Sequence, residues 1–192
     1  YRRLLYVFTN NPASHQLSDF PQFFVYCKKW QATMKLPLLL LLIWALLVIL
    51  VNPHGNFPLN DDWQYAYPVK QLIEEGRFEM QGQFAPNILL QVVWGYLSCS
   101  LFGAFDFTYL RLGVLLLGLG CGWLLYRWLR DAGITKGKSF GVSLVLLCSP
   151  LFFSLSFTFM TDVPFLFLCL LCLRYFSLYV NKGELAKLGW AS

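Results

Sequence analysis

Three aspartates stand where a carboxylate could do chemistry. Asp61 and Asp62 are adjacent and follow an apolar run. Asp162 closes another, in Phe159-Met160-Thr161-Asp162-Val163-Pro164. A carboxylate can take the proton of an attacking hydroxyl, and carboxylate oxygens suit Mg²⁺ or Mn²⁺. An acid at the very end of an apolar run is costly to place without a partner or a role. The plainer reading is that Asp61 and Asp62 sit at the positive end of a helix dipole and Asp162 marks a helix start before Pro164. Position alone does not separate the two readings. His54 lies nearby in sequence, but a lone loop histidine is more often an interfacial polar group. Cys169-Leu-Leu-Cys172 has redox or zinc spacing without a second pair, inside an apolar run, and reads with the other cysteines as packing.

The elements that must carry these acids are written in the composition. Of 192 residues, 57% are apolar and 13% are charged, where soluble domains carry about a quarter. The charges cluster, leaving long uncharged stretches such as 36–51, 112–126 and 139–160. Such runs match the length that crosses a bilayer core. The net charge of +5 does not indicate nucleic acid, because the basic residues flank the apolar runs instead of forming a stripe. The expected class is therefore all-α: a polytopic membrane protein of about four transmembrane helices, lying among membrane lipids.

Lys28, Lys29 and Lys35 precede the first run, which places its start on the cytoplasmic side. Met34-Lys35-Leu36-Pro37 reads as a natural start, leaving 1–33 as an upstream segment of uncertain status. No small-x-small cleavage site follows Val51, so the run 36–52 reads as a retained span. The apolar run 87–102 decides the topology. If it spans, Arg127, Arg130, Lys136 and Lys138 fall outside. If it lies along the outer interface, every basic cluster falls inside. The second arrangement gives spans at about 36–52, 107–129, 139–159 and 163–180, an outer loop over 53–106, and a cytoplasmic connector over 181–192, cut short. Arg111 and Arg174 sit near span ends, where long side chains snorkel.

An outer loop of that length needs structure of its own. A helix is expected over 61–75, capped by Asn60 and stopped by Gly76, with Asp62, Ala66, Val69 and Ile73 on one face. Pro68 kinks or restarts it. A second juxtamembrane helix is expected over 87–102, ended by Gly103. Gly118-Leu-Gly-Cys-Gly122 has the spacing that lets helices approach closely.

The stretch Asn60-Asp61-Asp62-Trp63-Gln64-Tyr65-Ala66-Tyr67-Pro68-Val69 resembles the first-loop motif of GT-C-type glycosyltransferases, a group that includes protein O-mannosyltransferases and aminoarabinose-lipid transferases. Leu89-Leu90-Gln91 to Leu101-Phe102-Gly103 resembles their second outer-loop helix, and Leu110-Arg111 the arginine opening the next span. Ser149-Pro150-Leu151-Phe152 and Met160-Thr161-Asp162 resemble the third span and the acid that ends it. The resemblance covers about 34–180 and rests on the order of these motifs. It implies an amino-terminal part of such an enzyme, moving sugar from a polyprenyl-phosphate-linked donor to a hydroxyl of a lipid, glycan or protein acceptor, at the extracytoplasmic face of the cell (inner) membrane.

By motif position Asp61 is the general base and Asp62 its neighbour, with Asp162 near the same cavity. Tyr65, Lys70 and Arg111 are the candidate substrate-binding residues, Lys70 or Arg111 holding phosphate where relatives use a basic residue that Phe84-Ala85-Pro86-Asn87 lacks. The metal question stays open, with Asp61 and Asp162 as ligands if Mg²⁺ or Mn²⁺ is used. Relatives have around ten or more spans, so a chain of four is expected to be inactive alone. A competing class is a non-enzymatic polytopic protein, either a transporter fragment or a membrane interaction protein. A transporter would show charged or broken helices at mid-membrane.

Overall fold

A computed structural model describes residues 35–78 and 88–181. By packing, the chain divides between Leu39 and Leu40. Of the first unit, residues 35–39 are described, as the opening turns of a helix. The second unit, Leu40–Ser192, holds the rest of the described chain and all of the candidate acids.

The all-helical class expected from the sequence is what is found, and no strand occurs among the described residues. The helices are α1 (Lys35–Val51), α2 (Asp62–Glu74), α3 (Leu89–Ser100), α4 (Phe107–Asp131), α5 (Lys136–Leu147), α6 (Pro150–Leu155) and α7 (Asp162–Asn181). Two of them, α4 and α7, are long and apolar enough to cross a membrane. Four spans were expected. The first, α1, is 17 residues by its bounds and falls among the shorter apolar helices. The third, expected as one helix over 139–159, is broken into α5 and α6. Pro150 explains the break: it has no N–H for the ladder, its ring would collide with the carbonyl four residues back, and it opens α6 at the first turn.

The acidic-end helices start and stop for local reasons. In α2 the N-cap is Asp61, not Asn60, and its side chain makes no cap bond. Asn60 instead takes a positive φ of 56°, a conformation asparagine tolerates better than most residues. Pro68 stays inside one continuous helix, buried. Gly76 follows the last turn with φ +66°, the left-handed stop that favours glycine. Asp62, Ala66 and Val69 form the buried face. Helix α4 is capped by Asp106, whose carboxylate accepts from the Thr108 N–H at 2.6 Å.

Helix α4 is the hub, and its small residues set how closely the others approach. A Cβ on Gly113 would meet Ser98 Oγ of α3 at 2.3 Å, and one on Gly118 would meet Trp44 of α1 and Ser156 at 3.1 Å. On Gly122 it would meet Leu147 of α5 at 2.7 Å, and on Gly120 the Phe167 ring of α7 at 2.6 Å. Trp44 also donates its indole N–H to the Leu115 carbonyl at 3.2 Å.

Helices α4 and α7 run parallel. The Cys121 thiol donates to the Val163 carbonyl at 3.8 Å, the Trp128 indole to Ser177 Oγ at 2.9 Å, and Arg174 to Asp131 at 2.9 Å. From the Cys121–Val163 contact to the Trp128–Ser177 and Asp131–Arg174 contacts, numbers rise along both helices. At 1.5 Å per residue, α7 therefore begins on the order of 15–20 Å along α4 from its first turn. Along that first stretch of α4 lie α3, with Ser98 against Gly113, and the loop before α2.

Candidate functional site

The site is assembled from two chain segments a hundred residues apart. Residues 52–61 link α1 to α2, and they are pinned to the start of α4. Arg111, 2% exposed, donates to the carbonyls of Pro53 at 3.2 Å and Gly55 at 2.7 Å, and also to that of Phe57. Its guanidinium lies 4.9 Å from the Phe57 ring centroid, a cation–π distance. The Gly55 N–H donates to Thr108 Oγ1 and the Phe107 N–H to Asn56 Oδ1, both at 3.2 Å. One turn of α4 thus takes up the carbonyls of Pro53, Gly55 and Phe57 and the N–H of Gly55.

This pinning brings the acidic pair against the turn between α6 and α7. Asp62 is fully buried. Its Oδ1 accepts from the Leu59 N–H at 2.8 Å and its Oδ2 from the Phe159 N–H at 3.4 Å. Asn60 reaches Met160 Sδ at 3.9 Å, and Gln91 of α3 donates to the Met160 carbonyl at 3.3 Å. Burial pushes the Asp62 carboxyl above its ordinary range, opposed by the N–H groups of Phe159 and Leu59 and by the positive charge of Arg111.

The candidate residues divide clearly. Asp61 is exposed and makes no cap bond, so its carboxylate is free to meet a solute. Asp62 has both oxygens engaged by backbone donors and clamps the two segments together. Asp162 is exposed at the first turn of α7. Tyr65 is half-buried on α2. Lys70 is exposed and pairs with Glu74 at 3.9 Å within its own helix, a contact worth little. Arg111 is spent on backbone carbonyls, although its Nε has no partner among the described residues. His54 is exposed. The Phe84-Ala85-Pro86-Asn87 stretch lies outside the described residues.

Gln91 and the Phe159–Met160 backbone are the participants that sequence reasoning missed. In the sequence Gln91 figures only within the Leu89-Leu90-Gln91 stretch, with no role of its own. Among the described residues no group of three or more His, Cys, Asp or Glu side chains comes together as metal ligands.

Comparison of the chain with known protein families, with curated proteins and with solved structures finds no match. What the fold itself defines is an all-helical protein with two helices fit to cross a membrane.

Proposed function

We propose that the chain is part of a multi-pass glycosyltransferase of the cytoplasmic (inner) membrane, using a polyprenyl-phosphate-linked sugar on the extracytoplasmic side. One observation carries the reading. The two acidic segments that sequence reasoning singled out, 60–62 and 159–162, converge through the Asp62–Phe159 and Asn60–Met160 contacts. A shared site for donor and acceptor requires such convergence, and helix packing alone does not.

In the proposed reaction the acceptor oxygen attacks the anomeric carbon. The bond from that carbon to the phosphate oxygen breaks, and polyprenyl phosphate leaves with the electron pair. Asp61 takes the hydroxyl proton, because it is the acid of the pair left exposed. Asp62 positions it by fixing the first turn of α2 against the α6–α7 turn. Arg111 acts at one remove, by shaping the loop that precedes Asp61. The acceptor is a lipid, glycan or protein hydroxyl.

The topology that goes with this reading puts α4 and α7 running inward from the acidic side, which agrees with their parallel packing. The test is transfer of radiolabelled sugar from polyprenyl phosphate to hydroxyl acceptors by membranes containing the whole transferase of which this chain is proposed to be a part. Asp61→Asn should lower transfer by about 10²–10⁴, the range for losing a general base. Unchanged transfer in that variant would remove Asp61 from the mechanism. Impermeant thiol labelling of single cysteines at 61 and 162, with protection at 133, checks the sidedness independently.

A further inference from the structure

We propose that α3 is a re-entrant half-helix, standing upright in the leaflet where α4 begins, with its outward stripe against lipid acyl chains. This goes beyond the transferase reading. It rests on α4 crossing a bilayer and not on sugar transfer.

The chain turns back between Ser100 and Phe107, and α3 and α4 pack side by side in opposite directions. At the turn, the Cys99 thiol donates to the Asp106 carbonyl at 3.9 Å. The Phe102 ring stacks on Tyr109 there, with centroids 4.2 Å apart. Farther along, a Cβ on Gly95 would meet Leu110 at 3.1 Å, and one on Gly113 would meet Ser98 and the Trp94 indole. Farthest from the turn, Leu90, Val93 and Trp94 surround a cavity together with Leu117 of α4 and Pro164 and Leu168 of α7. Numbers along α3 thus fall from 102 to 90 while those along α4 rise from 106 to 117. A helix paired in this way with a membrane-crossing helix descends beside it. The turn at Phe159–Asp162 goes down with it, because Gln91, in the first turn of α3, donates to the Met160 carbonyl at 3.3 Å.

Length and polarity exclude the two other placements. The 12 residues of α3, at 1.5 Å each, reach about 18 Å, short of a hydrocarbon core about 30 Å thick. The helix therefore does not cross. A helix lying flat at the interface turns a polar face to water, and α3 has none. Residues 88–105 contain no charged side chain. The side turned inward is packed on Val69 of α2 and on Leu110 and Gly113 of α4. Outward, Leu90, Val93, Leu97 and the C-cap residue Leu101 are exposed, and their spacing makes one stripe along the helix. In water that stripe would be a continuous hydrocarbon surface of the kind that marks a membrane or partner contact. Its position along the first half of α4 places it at the depth of acyl chains, which cover it without any polar group to satisfy.

The test uses Leu90→Cys, Val93→Cys, Leu97→Cys and Leu101→Cys, one at a time in the full chain, with the accessible native cysteines replaced by alanine. Each carries a nitroxide. Its depth in phosphatidylcholine vesicles is read from collisions with oxygen and with a water-soluble nickel chelate. Depth should increase steadily from 101 to 90, by about 1.5 Å per residue less the tilt of the helix, leaving 90 near the bilayer centre. Any two of the four sites give the slope, so a single variant that does not fold leaves the test standing. Equal depth at all four would lay α3 flat and overturn the proposal. So would a label at 90 that the chelate reaches from the side opposite 101, since α3 would then cross. Free access of the chelate to all four sites would put the stripe in water, and access of neither collider would put it under another protein surface. Either result also overturns the proposal. A steady gradient upholds the half-helix from whichever side an impermeant thiol reagent reaches 101. That side tests only the topology of the transferase reading, and transfer activity enters none of these readouts.

Discussion

Along its first turns α4 is held to a loop with no regular structure by hydrogen bonds that Arg111 and Phe107 donate and one that Thr108 Oγ1 accepts from the Gly55 N–H. From Gly118 onward the same helix meets its neighbours through glycines, with aromatic and leucine side chains packed on bare backbone. The first region positions polar groups and depends on donors finding acceptors. The second needs only shape. The difference predicts which substitutions are felt as a lost partner and which as a collision.

The largest effect is expected at Arg111. Arg111→Leu removes donors from three backbone carbonyls, and hydrogen bonds to a charged group contribute about 1.5–3 kcal/mol each. A loss of at least about 3 kcal/mol is expected, read as a lowered unfolding midpoint in detergent. A cysteine at position 56 should also become faster to label, since the Asn56 loop loses its anchor. Equal stability and equal labelling in the variant would show that the loop is held by Thr108 and Phe107 alone.

In the glycine-packed region the expected costs are smaller and uneven. Gly122→Ala places a Cβ 2.7–2.8 Å from three atoms of Leu147, a side chain with no exposed surface. Overpacking of that kind costs about 1–3 kcal/mol. Gly120→Ala meets only the edge of the Phe167 ring, which is half-buried and can swing aside. That substitution should stay within about 1 kcal/mol of the parent, helped by the better helix propensity of alanine. Equal losses at the two positions would mean that α7 is packed on α4 as rigidly as α5 is.

These two regions also differ in how far the sequence discloses them. The glycine spacing 118–120–122, the long apolar runs that became α4 and α7, and the stops at Gly76 and Gly103 follow from local rules of periodicity, length and backbone conformation. The α5–α6 break was signalled by Pro150, but hydropathy outweighed it and suggested one span. At the acidic end, the identity of the buried acid was not legible. Asp61 and Asp62 are neighbours of the same type, and the choice between them depends on which carboxylate meets the Phe159 N–H, a partner 97 residues away. The resemblance makes Arg111 or Lys70 the holder of phosphate, because Phe84-Ala85-Pro86-Asn87 lacks the basic residue that relatives use. The use of Arg111 on loop carbonyls depends on the path of 53–57, which no periodicity encodes. Gln91 carried no signal beyond its polarity in an apolar helix.

A third expectation concerns Asp62 and pH. Burial raises its carboxyl above the value it has in the unfolded chain. Between those two values the folded protein holds a proton that the unfolded chain has released. Stability from this group is therefore complete below the unfolded value and is lost as pH rises through the folded one. Asp62→Asn keeps an acceptor oxygen and removes the titration. The difference in unfolding free energy between parent and variant should thus change with pH, the parent being favoured on the acidic side and losing that advantage as pH rises. A difference that stays constant across that window would place the Asp62 carboxyl at its ordinary value, and the clamp on Phe159 would then be an ordinary ionised acceptor.

The smallest effect tests the far end of the comparison. Asp131 and Arg174 join the last turn of α4 to α7 at 2.9 Å, with side chains 24% and 17% exposed. By the logic of lost partners this pair would rank beside Arg111. By its setting it does not, because it sits at a rim that water reaches and next to the Trp128–Ser177 bond, which already fixes the register. Exposed pairs contribute about 0–1 kcal/mol, so Asp131→Asn should cost less than about 1 kcal/mol, and less still in high salt. A loss as large as that of Arg111→Leu would mean that this end is also closed to solvent. The contrast between a polar, pinned end and a shape-packed body would then fail, because buried charge would be holding both ends of α4.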